Sequence, residues 1–256
     1  MFEVIPLFSG SSGNSILFRH DGKSFLIDAG MSCRNMCAAL ALFGETPETI
    51  NGVFVTHEHS DHIAGLEMLC KKYSLPVYIN SFSADFLLRS GKFPYLCANI
   101  SIFEPDTAEE LFGMSVKSFR TPHDSCGSVG YRFDDEEDSF AYATDIGCVT
   151  RLIARNLFGA KKVILESNHD LAMLKNGRYP ESLKARIRSD HGHLSNEDCA
   201  AFLPHLAANG TEKIWLGHLS KDNNTPQIAL SLSQKALAEA GDANVSLAVA
   251  PRSILT

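Results

Sequence analysis

Apolar positions along this chain follow two signatures: short runs that end in a polar or acidic residue, and longer stretches with a helical period. Glu3-Val4-Ile5-Pro6-Leu7-Phe8, a second run through Phe18, and Phe25-Leu26-Ile27-Asp28-Ala29-Gly30 read as strands. Ser32 to Phe43 reads as a helix, and Gly44 to Asn51 as the return to an apolar strand, Gly52-Val53-Phe54-Val55. The pattern then predicts a helix over Ile63 to Tyr73, a short strand at Pro76 to Ile79 and a helix over Ser81 to Ser90. An irregular stretch with short strands follows to about Gly113. Met114 to Phe119 alternates like a strand, and Val129 to Phe133 with Ser139 to Ala143 predicts a hairpin around an acidic turn. Val163 to Leu165 and Lys213 to Gly217 are further apolar strands, while Leu152 to Phe158, Asn196 to Ala208 and Pro226 to Ala240 read as covering helices.

What the strands deliver at their ends changes the picture. Directly after Gly52-Val53-Phe54-Val55 comes Thr56-His57-Glu58-His59-Ser60-Asp61-His62. In an extended segment alternate side chains share a face, so His57 and His59 can point to one spot. One turn on, Asp61 and His62 offer a second pair to a neighbouring spot. Imidazole nitrogen and carboxylate oxygen are ligands that zinc and related divalent metals accept. The alternative is a set of surface histidines ahead of a helix capped by Ser60 or Asp61.

Other strand ends carry single candidates. Asp28 is either a partner that orients a metal-bound histidine or a turn-forming residue. His123 follows the strand to Phe119, Asp145 follows the second hairpin strand, Glu166 follows Val163 to Leu165, and His218 follows Lys213 to Gly217. The Gly/Ser segment Ser9-Gly10-Ser11-Ser12-Gly13-Asn14-Ser15 is either a hairpin connection or a small-residue loop in which Ser11 and Asn14 approach a ligand. His193 lies just before Ser195, a residue suited to cap the helix from Asn196. A helix start with a histidine beside it is a ready place for a phosphate.

Composition narrows the function class. The chain has 256 residues with 45% hydrophobic and 21% charged positions, ordinary for a globular protein with a sizeable core. No apolar run approaches the roughly 20 residues that span a bilayer. Met1 to Pro6 shows no basic region followed by an apolar one, so no secretory signal is expected. Seven cysteines without framework spacing suit a reducing cytoplasm, and Cys33 and Cys37 read as packing residues one helical turn apart. The net charge of −7 argues against coating nucleic acid through overall charge. Between Leu171 and His193, however, Lys175, Arg178, Lys184, Arg186 and Arg188 outnumber Glu181 and Asp190, a local excess of +3.

The run from His57 to His62 resembles the His-x-His-x-Asp-His signature of the metallo-β-lactamase superfamily. That resemblance implies a single domain over residues 1–256, an α/β four-layer αββα sandwich, with two metals between its sheets. It implies His57, His59 and His123 as ligands of one ion, Asp61, His62 and His218 as ligands of the other, and Asp145 as the bridge. Two such cations can hold one hydroxide and clamp the attacking and leaving oxygens of a displacement. The nitrogen and oxygen donor set suits zinc, manganese or iron.

Glu166 and the His193-Leu194-Ser195 helix start resemble the Glu and His-x-Thr pair of the RNase Z-type nucleases. Together with Ser9 to Asn14, Glu166-Ser167-Asn168-His169-Asp170 and Gly217-His218-Leu219-Ser220, they make nearly the whole chain similar to the YycJ/WalJ group of bacterial proteins. The resemblance implies a metal-dependent DNA exonuclease, 5′ to 3′, in which Asp61, Glu166 and His193 are catalytic. His169 is then a further site residue, and Arg178, Lys184 and Arg186 could track the nucleic acid backbone. A glyoxalase II-like thiolester hydrolase uses the same seven ligands and is the competing expectation. It would need neither the Glu166–His193 pair nor the basic stretch.

Overall fold

A computed structural model of the protein describes residues 1–242 and 244–255. Two compact units separate: Met1–Thr107 with Ser125–Val129 and the segment from Pro251, and Ala108–Asp124 with Gly130–Ala250.

The first unit runs β1 (Glu3–Phe8), β2 (Ser15–His20), β3 (Lys23–Ile27), α1 (Cys33–Ala41), β4 (Ile50–Phe54), α2 (Ser60–Ile63), α3 (Leu66–Tyr73), β5 (Val77–Ile79), α4 (Ser81–Arg89) and β6 (Ile100–Ile102). Its six strands pair in sequence order, antiparallel from β1 to β3 and parallel from β3 to β6. The two-residue side-chain period divides the sheet. Leu17, Leu26 and Val53 face one way, into a core with Met36, Leu40, Leu66 and Leu69 from the helices. Phe18, Phe25 and Phe54 face the other way, with Phe18 stacked on Phe25 at 5.2 Å and Phe54 on Tyr78 at 4.8 Å between ring centroids. Both faces are buried, which is why these strands read as continuous apolar runs.

The helix expected from Ile63 to Tyr73 is in fact two. A single turn, α2, begins at Ser60, and α3 begins at Leu66. The break falls at Gly65, whose N–H donates to the Ala29 carbonyl at 2.8 Å, beyond the end of β3. A side chain there would meet the Met31 carbonyl oxygen at 2.3 Å, so the chain passes at a distance only glycine allows.

The second unit contains β7 (Ala108–Leu111), β8 (Met114–Arg120), β9 (Val129–Asp134), β10 (Ser139–Ala143), α5 (Arg151–Leu157), β11 (Lys162–Glu166), α6 (Leu171–Asn176), α7 (Glu181–Ile187), α8 (Asn196–Ala208), β12 (Lys213–Gly217), α9 (Pro226–Glu239) and β13 (Ser246–Val249). Its seven strands are ordered β13-β12-β11-β10-β9-β8-β7, parallel from β10 to β13. Val163, Leu165, Ile214 and Leu216 bury one sheet face against Ile153, Leu203 and Ala229. The expected helix starts hold: Ser195 Oγ accepts from Asp198 N at 3.0 Å, and Thr225 caps α9 with Pro226 in its first turn. The edge strand β13 was not anticipated.

Gly30 lies between β3 and α1, where a β-carbon would sit 1.8 Å from the Asp61 carbonyl oxygen. That oxygen and the Asn14 nitrogen, 2.5 Å from the same point, are backbone atoms and cannot turn aside. Gly30→Ala should therefore lower stability by at least about 1–3 kcal/mol, the usual cost of forcing atoms into a packed site. A denaturant midpoint equal to wild type would refute the tightness of this contact.

Candidate active site

In each unit the polar residues of interest sit at the C-terminal ends of parallel strands. β3 leads to Asp28 and β4 to the Thr56–His62 segment; β10 leads to Asp145, β11 ends in Glu166, and β12 leads to His218. Asp28, Asp145 and His218 adopt left-handed backbone angles, φ 60°, 55° and 55°. Non-glycine residues rarely take that region and do so at a cost of about 1–3 kcal/mol each. The turn aims each side chain off the end of its sheet.

The first unit gathers His57, His59, Asp61 and His62. The His57 ring lies 4.6 Å from His59 and 4.1 Å from His62, centroid to centroid. His62 Nε2 is 3.6 Å from Asp61 Oδ2. A fully buried carboxylate organises them. Asp28 Oδ1 accepts from Thr56 N at 2.8 Å, and its Oδ2 accepts from Thr56 Oγ1 at 2.9 Å and from His62 Nδ1 at 2.7 Å. Since the Thr56 hydroxyl donates to Asp28, its oxygen can accept from His57 Nδ1 at 3.0 Å. Both rings thus spend Nδ1–H on the protein, which leaves Nε2 as the coordinating nitrogen. Burial pushes the Asp28 carboxyl above its ordinary value, against the opposing pull of His62 and Thr56.

Two further side chains brace this loop. Asn14, expected at a ligand, is buried with its amide nitrogen 3.1 Å from His62 Nε2 and 3.4 Å from Asp61 Oδ2, a hydrogen-bond contact that a metal ion on Nε2 would replace. Ser11, expected beside it, is exposed in the turn. Glu58, between the two histidines, accepts from Cys126 N at 2.7 Å and Ser83 Oγ at 2.8 Å. Burial raises the Glu58 carboxyl and these donors outweigh it, so it ends below the usual range. An alternating acid in a histidine motif gave no sign of this bracing role.

In the second unit, donor atoms of Asp145, Glu166, His193 and His218 lie within 4.8 Å of one another, and the group could hold a metal ion. Glu166 is its centre. Its Oε1 accepts from His193 Nδ1 at 2.7 Å and from His218 Nδ1 at 2.9 Å, while Oε2 accepts from Ile146 N at 2.7 Å and Leu194 N at 3.3 Å. One carboxylate thereby orients both histidines, so Glu166 also fixes the tautomer of His218. Burial raises the Glu166 carboxyl, but His193 and His218 outweigh it and hold it below its ordinary value. Burial pulls the His193 imidazole down, and Glu166 and Asp145 outweigh that, so it ends above the ordinary histidine value. His123 Nδ1 donates to the Gly192 carbonyl at 3.2 Å, and its Nε2 lies 3.7 Å from Asp145 Oδ1.

The loops carrying these groups are tied by side-chain amides that the motifs did not reveal. Asn224 donates to the carbonyls of Ser167 and Asn168 at 2.9 and 3.0 Å, and Asn168 donates to the His218 carbonyl at 2.9 Å. His169 bridges to Ser195 through the backbone.

The basic stretch divides. Lys184 is buried, with Nζ on the Lys175 carbonyl at 2.8 Å and on Glu181 at 2.9 Å, so it is spent inside rather than offered to a substrate. Arg186 pairs with Asp124, next to His123. Lys175, Arg178 and Arg188 are exposed.

The family model described as the metallo-beta-lactamase superfamily matches residues 9–207. The chain belongs to that superfamily. The superfamily's α/β fold class accounts for the two mixed sheets. The chain is 38% identical over 242 residues, 93% of its length and 89% of the relative's, to exodeoxyribonuclease WalJ of Streptococcus pneumoniae serotype 2 (strain D39 / NCTC 7466). It is 40% identical over 237 residues, 89% of its length and 86% of the relative's, to exodeoxyribonuclease YycJ of Bacillus anthracis. The metallo-beta-lactamase fold protein YhfI from Bacillus subtilis superposes with a TM-score of 0.72 at 17% identity, over 99% of this chain and 97% of that one. The His and Asp donor sets fit the divalent metals of the superfamily.

Two outcomes follow. Asp28→Asn should weaken divalent-metal affinity about 10–100-fold, since partners of ligating histidines contribute that much; equal affinity by metal titration would remove Asp28 from this role. Burial pulls the His169 imidazole down from 6.5 to about 4. A folded-state value below the unfolded one means that the unfolded chain binds the proton first. His169 should thus cost stability as pH falls from about 6.5 towards 4, with no penalty above. The stability of wild type minus that of His169→Gln should decline across this window, and a flat difference would contradict it.

Proposed function

We propose that this chain is a metal-dependent phosphodiesterase that digests DNA as an exonuclease, from 5′ to 3′. The two exodeoxyribonucleases aligned over most of both chains support the class. The observation that carries the chemistry is the 2.7 Å contact between His193 Nδ1 and Glu166 Oε1. His57, His59, Asp61, His62, His123, Asp145 and His218 would supply the ligands of two divalent ions. The ions are zinc or manganese, and iron also suits the donors. When bound, such ions lower the pKa of water and draw charge from phosphate oxygens.

The leaving group of a phosphodiester is an alkoxide, a far stronger base than imidazole, so it departs well only with a proton. Glu166 neutralises the imidazolium of His193 beforehand and engages Nδ1, so Nε2–H is the proton to be given. His193 is also the member of the pair that substrate can reach, its side chain 22% exposed against 0% for Glu166. Water contributes OH to phosphorus as the P–O bond to the leaving oxygen breaks, and its other proton restores the imidazolium. A thiol, with a pKa of about 8.5, leaves as thiolate without such help. The pair would then be idle in a thiolester hydrolase. Asp61, its Oδ2 3.6 Å from His62 Nε2, would act in catalysis as a metal ligand beside the first unit's histidines.

The two units act as one functional domain. The seven free cysteines suit a cytoplasmic enzyme, and among the described residues no helix is long and apolar enough to cross a membrane.

The test is cleavage of 5′-labelled duplex and single-stranded DNA with added Mn²⁺ or Zn²⁺. Wild type should release nucleotides from the 5′ end, Asp61→Ala should be inactive, and His193→Ala should be slower by about 10²–10⁴-fold, the usual worth of a general acid. Turnover of a glutathione thiolester without DNA cleavage would overturn the reading.

A further inference from the structure

A cleft of about 510 Å³ in the second unit lies between Asn176-Gly177-Arg178-Tyr179, after α6, and Asp222-Asn223, in the loop beyond β12. Its size falls in the roughly 300–1,000 Å³ range of small-ligand sites. We infer that this cleft binds one nucleotide unit of a nucleic acid strand, its phosphate on Arg178 and its base edge on Asp222 and Asn223. The inference rests on the nuclease reading.

Charge comes first. Arg178 is exposed and, among the described residues, makes no ion pair or side-chain hydrogen bond. Lys175 and Lys221, exposed neighbours in the chain on either wall, bring the cations to three against the single carboxylate of Asp222. Such a mouth favours an anion.

The floor asks for more than an anion. The Asn223 side chain is buried and its amide nitrogen donates to no acceptor among the described residues. A buried amide without a partner costs free energy, so a ligand acceptor there is favoured. Gly177 makes room for it, because a β-carbon at that position would sit 2.5 Å from Asn223 Oδ1. Beside Asn223 on the same wall, Asp222 Oδ2 accepts from the hydroxyl of Tyr179, across the cleft, at 2.8 Å, which fixes the carboxylate as an acceptor next to the amide. A donor and an acceptor side by side in a cleft that Arg178 also lines match a nucleobase edge joined to a phosphate. They do not match inorganic phosphate, which Asp222 would repel.

Position links the cleft to the chemistry. The Asn223 carbonyl accepts from Asp170 N at 2.9 Å, and Ser220 N donates to the Asn168 carbonyl at 2.8 Å. The cleft wall is thus built onto the Glu166–Asp170 loop, and Asp222 is four residues beyond His218. A strand held in the cleft is carried past the same loop that presents Glu166.

Steady-state cleavage of DNA by the metal-loaded full chain, together with calorimetric titration of deoxyadenosine monophosphate and of inorganic phosphate, tests this. Arg178→Ala should raise KM for DNA about tenfold, keep kcat within about twofold, and reduce the salt dependence of log KM by roughly one phosphate contact. Asp222→Ala should raise KM without that change in salt slope, while Arg151→Ala, an exposed arginine on α5, should alter neither. The nucleotide should bind wild type and lose affinity in both cleft variants. Unchanged KM in Arg178→Ala and Asp222→Ala overturns the inference while leaving the nuclease reading intact. Equal binding of phosphate and nucleotide, with Asp222→Ala indifferent, also overturns it. Nucleotide binding lost in Arg178→Ala, in a protein that cleaves no DNA with any metal, supports the cleft and removes the nuclease.

Discussion

Two buried carboxylates, one in each unit, organise the candidate site residues around them, and both are there under the same constraint. An ionised carboxyl with no solvent exposure is tolerable only when its oxygens are surrounded by donors. Asp28 meets that need with a backbone N–H, a hydroxyl and an imidazole; Glu166 meets it with two backbone N–H groups and two imidazoles. Because the donors include the histidines, satisfying the charge also fixes their tautomers. Removing either carboxylate would loosen every ring bonded to it. The histidines are thus oriented by electrostatic necessity before any ligand arrives.

Holding those groups at strand ends has a backbone cost that the cores must offset. Asp28, Asp145 and His218 all sit at left-handed angles. Each directly follows a segment whose apolar side chains are fully buried: Leu26 and Ile27, Ala141 and Ala143, Ile214 and Leu216. Rigid strands on one side and hydrogen-bonded loops on the other over-determine the turn, so the strain persists. The amides of Asn224 and Asn168 belong to this support, since they take up the Ser167 and His218 carbonyls and add a second donor to the Asn168 carbonyl that Ser220 N already binds.

Most strand positions and most helix spans were legible because both sheet faces are apolar and the helix starts carry capping residues. The site was legible where a strand delivers a chemically unusual residue, as at His57 to His62, Asp145, Glu166 and His218. What remained hidden depends on long-range partners. The split at Gly65 arises because its N–H is taken by Ala29, a bond that helical periodicity cannot show. Strand β13 escaped because its residues are half-exposed at an edge and lack the buried-run signature. Lys184 reads as one cation among five, yet its ammonium turns inwards to the Lys175 carbonyl and Glu181. Glu58 lies in plain view in the motif, but its braces, Ser83 and Cys126, are distant in the chain.

His193 and His169 show how placement, rather than residue type, assigns roles. Both lie in the second unit, and burial drives both towards the neutral form. His193 touches Glu166 directly, and that contact reverses the sign of its shift. His169 has no such partner for Nδ1 among the described residues, feels Glu166 only at a distance, and stays neutral. A neutral, buried imidazole cannot deliver a proton at ordinary pH, whereas a paired and partly exposed one can. In the proposed reaction the geometry therefore favours His193 over His169 as the proton donor, while His169 ties the Glu166 loop to the start of α8 through its backbone bridge to Ser195.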